Sequence, residues 1–170
     1  MNNKLLLAVL ALLAVFPASP AFAAEPSLSK EQSATLSSSC GAIKQNLKNL
    51  QRIDARTRTF FGSIYETVSS KYLKPLNLRL VNNDLSNTDL LNLQTSLATA
   101  RLNFSNDYIQ YSKSLEDLIV IDCRLEPDKF YKKLLETREK RSIVSTDVKT
   151  LNSYLTRIIK NTEKLKESLQ

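Results

Sequence analysis

The sequence predicts an all-α fold: an elongated antiparallel three-helix bundle, close to a coiled-coil rod, tied by one intramolecular disulfide. Three observations carry this expectation. Glycine is nearly absent, with only Gly41 and Gly62 in 170 residues, whereas sheets and loop-rich folds draw on glycine for their turns. Apolar residues recur at three- and four-residue steps along three long stretches, which Pro75 and Pro127 separate. Finally, Cys40 and Cys123 are the only cysteines, an even count with a single pairing.

In chain order, residues 1–23 read as a cleaved secretory signal. Lys4 gives a short positive start, Leu5 to Phe16 form an apolar run, Pro17 breaks it, and Ala21-Phe22-Ala23 supplies a small-x-small cleavage site. As a helix the run reaches ~18 Å, short of a ~30 Å hydrocarbon core, so no stable transmembrane anchor is expected. The product is expected outside the cytoplasm: periplasmic, envelope-associated or secreted. Residues 24–37 read as a flexible N-terminal segment, and 38–170 as a three-helix domain.

Helix one is expected over about 38–74. Ile43, Leu47, Leu50, Phe61, Ile64 and Val68 share one frame, and the same frame passes through Asp54 and Thr57. Pro75 should end it, because proline steers the preceding residue away from helical geometry. Residues 76–86 then read as a connector, with turn chemistry at Asn82-Asn83-Asp84. Helix two, about 87–124, has Ser86 or Asn87 as its N-cap. It carries Leu93, Leu97, Ala100, Phe104, Tyr108, Tyr111, Leu115 and Leu118 without interruption. Helix three, about 126–168, opens at Glu126-Pro127, where proline suits the first turn. Its stripe is Phe130, Leu134, Val144, Val148, Leu151, Leu155, Ile158, Leu165 and Leu169, crossed by Arg138, Arg141 and Thr162. Helix seams of this kind are packed core.

Geometry pairs the cysteines. Cys40 to Lys74 and Asp89 to Cys123 are equal stretches, each ~51 Å at helical rise. A hairpin between them therefore brings both cysteines to the same far end, and an exported protein meets oxidising conditions. Closing a loop of about 84 residues restricts the unfolded chain by ~4 kcal/mol in the entropy model. Zinc is a poor alternative, since structural zinc takes four ligands and the chain has no histidine.

The same lack of histidine removes the commonest general base. No nucleophile elbow, phosphate-cradling loop or paired-cysteine motif occurs, and no two acids stand out as a glycosidase pair. No catalytic residue, metal or cofactor is expected. The net charge of +7 is either ordinary solubility charge or an attraction to anionic polymers, headgroups or acidic proteins. Export and the absence of a binding signature argue against nucleic acid.

Two constellations stand out. Lys44, Lys48, Arg52 and Arg56 recur every four residues, with no acid on the same stripe. This is either a solvated face or a grip for an anionic partner. Antiparallel pairing through the cysteines places Asp54 near Tyr108 and Tyr111, and aligning Cys40 with Pro127 places it beside Arg141. These four residues are expected to form a buried polar layer, which more often sets register than binds a ligand.

The run Pro75-Leu76-Asn77-Leu78-Arg79-Leu80-Val81-Asn82-Asn83, with Cys40 before it and Asp122-Cys123-Arg124 after it, resembles uncharacterised exported helical proteins of candidate-phylum bacteria. That resemblance implies no activity. In signal peptide, high pI and long helices the chain is also similar to the Skp family of small basic periplasmic chaperones. It departs from that family in its disulfide and in lacking a strand-forming trimer body. The expectation is a non-enzymatic exported structural or protein-interaction module of the cell envelope. The alternative is an extracytoplasmic holdase-type chaperone.

Overall fold

A computed structural model describes residues 27–85 and 87–170. The expected signal at 1–23 and the alternative cap Ser86 lie outside the described residues. All regular structure among the described residues is helical: α1 (Lys30–Thr67), a π-helical turn (Val68–Leu73), α2 (Lys74–Asn82), α3 (Thr88–Val120) and α4 (Pro127–Ser168).

The first helix starts earlier than expected, so residues 30–37 belong to α1 rather than to a flexible segment. A capping box fixes this start. The Gln32 N–H donates to Ser29 Oγ at 3.2 Å, and the Ser29 N–H donates to Gln32 Oε1 at 2.9 Å. Two otherwise unpaired backbone donors are satisfied together. The Leu28 N–H donates to Asp128 Oδ1 at 3.1 Å, tying this end to the start of α4.

Nor does the helix end at Pro75. It runs through the π turn directly into α2. An interior proline lacks one N–H, and its ring presses on the carbonyl four residues back. Here the wider turn shifts the bonding register, and the Lys74 N–H donates to Ser69 O, five residues back. Lys74 keeps helical angles (φ −62°, ψ −49°) despite preceding proline. The residues expected as a connector, 76–82, are therefore helix. The stop comes at the Asn-Asn-Asp run instead. Asp84 takes a left-handed φ of 57°, its N–H donates to Val81 O, and the Leu85 N–H donates to Leu80 O at 2.8 Å. This is the paired-bond helix ending usually built on glycine.

Asn87 caps α3, its side chain accepting from the Leu90 N–H at 3.1 Å. Pro127 occupies the first turn of α4. The disulfide joins Cys40 on α1 to Cys123 in the loop after α3, with Cα atoms 5.7 Å apart. Hairpin and disulfide thus close opposite ends of the α1–α3 pair.

The core falls into two clusters. One, toward the hairpin, gathers Tyr65, Leu73, Leu80, Leu90, Leu93, Leu97, Phe104, Leu151 and Ile158. The other, toward the disulfide, gathers Cys40, Tyr111, Leu115, Leu118, Cys123 and Phe130. α3 supplies more of each than any other helix, because it lies against α4 along its length while also facing α1. Of the stripe expected on helix one, Ile43, Leu47, Leu50, Phe61, Ile64 and Val68 are only half-buried.

Candidate functional site

Between the two clusters the apolar frame of α1 is broken by Asp54, and that break meets polar residues on both neighbours. Arg141 of α4 grips Asp54 with two bonds, Nε to Oδ2 at 3.0 Å and a terminal guanidinium nitrogen to Oδ1 at 3.2 Å. The Tyr111 hydroxyl donates to the same Oδ2 at 2.6 Å. Burial, then the bond to Asp54, pushes the Tyr111 phenol well above its ordinary value. The bond to Asp54 likewise raises the Arg141 guanidinium. Tyr111 and Arg141 therefore hold their charge states across the neutral range.

Tyr108 sits beside this layer without joining its bonds. Its ring packs edge-on against Tyr111, and the Arg58 guanidinium lies over it, 5.1 Å from the ring centre. Burial and the nearby Asp54 raise its phenol too. The rings continue as a ladder from Tyr111 through Tyr108 and Phe104 to Tyr65 and Phe61.

The helices part around this layer and leave a half-open cleft of about 410 Å³. Arg58 and Arg138 reach its rim beside Arg141, and Phe61, Phe104, Val144 and Val148 form apolar wall. The sequence marked Arg138 only as an interruption of the helix-three stripe. Arg58 was missed because it lies outside every apolar frame. The cleft exists because Thr57, Ser142 and Ser145, short polar residues, stand where core side chains would otherwise fill the space. Small residues level with one another on facing helices are the signal that could have located it.

The basic stripe lies elsewhere. Lys48, Arg52 and Arg56 are exposed and Lys44 is half-buried. Arg52 donates to Asn49 Oδ1 at 3.4 Å, and no described acid pairs with Lys48, Arg52 or Arg56. Lys44 faces the exposed Asp122, whose carboxyl is lowered chiefly by the Arg124 backbone N–H. The same face of α1 exposes Ile53 and Phe60, at 56% and 61% of their full surface. Their positions, seven residues apart, put them on one line beside Arg52 and Arg56.

Three further polar contacts cross the helices. Ser114 and Thr137 share a buried hydroxyl bond of 2.9 Å. The Asn77 amide donates to Leu90 O and Gln94 Oε1, and the Tyr65 hydroxyl donates to Asn152 Oδ1 at 3.0 Å. Among the described residues, no three His, Cys, Asp or Glu side chains are placed to share a metal ion, and no helix is long and apolar enough to cross a membrane. No protein-family model matches the chain, and comparison with curated proteins and with solved structures likewise finds no match.

Proposed function

We propose that this chain is a non-enzymatic, exported protein-interaction module of the cell envelope, which docks a partner on the exposed face of α1. The carrying observation is that exposed Ile53 and Phe60 adjoin Arg52 and Arg56, cations that meet no described acid, on that side of the helix. An exposed aromatic one turn from an arginine is the composition of an interface anchor, and cations that meet no described acid suit an acidic surface. α1 is also tied at both ends, by the disulfide and by the hairpin, so the face is presented on a stiff element.

A photoreactive side chain at position 60 tests this in the producing cell. A discrete adduct, lost when Arg52 and Arg56 become Gln and absent from a probe at exposed Lys149 of α4, is the expected result. Adducts of every size from both positions favour the holdase alternative. That reading draws on the exposed Tyr72, Leu78 and Val81 around the hairpin. A holdase also slows aggregation of unrelated unfolded proteins, and an interaction module does not.

A further inference from the structure

The cleft beside the polar layer is distinct from the α1 docking face, and its chemistry is one-sided. At about 410 Å³ it falls within the size range of small-molecule sites. Asp54 is the only carboxylate among the described residues that line it. Both oxygens of Asp54 are already engaged, Oδ2 by Tyr111 and Arg141 and Oδ1 by Arg141. Arg58 and Arg138, by contrast, meet no described acid. Three guanidiniums against one carboxylate leave a surplus of positive charge, and the two rim arginines keep their donors for an acceptor from outside. Beneath them the wall is aromatic and aliphatic.

We propose that this cleft binds a small organic anion that joins an acidic group to a flat apolar body. Arg58 and Arg138 receive the acidic group, and the body lies against Phe61, Phe104 and Val148. A neutral hydrophobe fits less well, because covering the two guanidiniums without giving them an acceptor strips their water uncompensated. An inorganic anion also fits less well, because it leaves the apolar wall wet. The ligand needs both halves.

Two dyes that differ by the acidic group separate these cases. Anilinonaphthalene sulfonate carries the anion and N-phenylnaphthylamine lacks it. In fluorescence titrations of the purified protein, the sulfonate should saturate a single site, and the neutral dye should bind about tenfold more weakly or worse, the worth of one charge-assisted hydrogen bond. Arg58→Gln with Arg138→Gln should weaken the sulfonate about tenfold while leaving the neutral dye unchanged. Arg52→Gln with Arg56→Gln, outside the cleft, should change neither. Ser145→Trp, which fills the cleft from its exposed rim, should block both dyes, with circular dichroism confirming the helices are intact. Equal affinity for the two dyes overturns the proposal. So does undiminished sulfonate binding by the Arg58/Arg138 variant, or displacement of the sulfonate by inorganic phosphate at equal concentration.

Discussion

α1 and α3 run antiparallel, have similar lengths and carry the same three-four apolar rhythm, yet they are buried to very different depths. α3 buries nine side chains, from Leu90 to Leu118, and α1 buries only Cys40 and Tyr65. Periodicity states that a helix has an apolar face; it does not state how many neighbours that face will meet. α3 packs closely against α4 along its length, whereas α1 lies over the groove between them and touches each more loosely. What α1 lacks in burial it makes up in specific ties: the disulfide, the Asp54 bonds, the Tyr65–Asn152 bond and the Glu66–Arg101 ion pair. A helix held this way is fixed in register but is open to solvent between its ties, which is where the cleft lies.

Core truncation should expose the contrast most strongly. Leu97→Ala, at a wholly buried α3 position, should cost roughly 3–4 kcal/mol in urea unfolding, and Leu47→Ala on half-buried α1 about 1 kcal/mol. Comparable losses at the two sites would mean that α1 is part of the core after all. Replacing both cysteines by Ala should cost about 3 kcal/mol, and amide exchange should quicken first in residues 30–50, with α3 and α4 still protected.

The polar layer comes next in size. Asp54 is 16% exposed and Arg141 51% exposed at the side chain, so neither loss carries the full penalty of a wholly buried pair. Arg141→Leu and Asp54→Leu should each cost roughly 2 kcal/mol. The double replacement should recover only part of that, because the Tyr111 hydroxyl keeps no acceptor. Adding Tyr111→Phe should recover most of the remainder. Strict additivity across this series, measured by chemical denaturation, would show three independent residues rather than a layer.

The smallest expected effect belongs to the α3–α4 contact. Asp147 faces Asp107, and burial, then that neighbour, raises the Asp147 carboxyl above its ordinary value. With both acids ionised, Asp147 Oδ2 has no donor; a shared proton supplies one. The folded state thus holds this proton more tightly than the unfolded chain, and stability falls as pH rises from the unfolded value through the raised one. Asp147→Asn should therefore raise the melting temperature slightly at pH 7, with the gain shrinking toward pH 4. A gain that is the same at every pH would remove the shared proton from the explanation.

The long arms, the disulfide and the chance of a polar break at Asp54 were legible because each is a matter of spacing along a helix. A hairpin brings Cys40 back toward Cys123, although the arms are not equal as expected because α2 carries the first one on to Asn82; and a charged residue in an apolar frame must find company. The early start of α1 was also written in the sequence, as Ser29 and Gln32 three residues apart, but surrounding serines disguise it as a loose segment. Pro75 misled because proline only disfavours helical angles in the residue before it, and here Lys74 keeps them while the π turn re-pairs its N–H with Ser69 O. The cleft was not legible, since it is made of volume that side chains fail to fill, and filling depends on three helices at once.

The π turn has a consequence for chain length. Tyr65, Ser69, Leu73 and Asn77 are all buried, a succession of four-residue steps. In a straight α-helix each such step drifts by ~40° around the axis, so the last of the four would have left the groove. The wider turn absorbs that drift and hands Leu80 back to the core, in the manner of a stutter in a coiled coil. The segment is thus a phase corrector. The turn holds one residue more than uniform winding needs, so deleting one residue between 68 and 73 should restore uniform winding and still leave Leu80 buried and Leu78 exposed at the mouth of the hairpin.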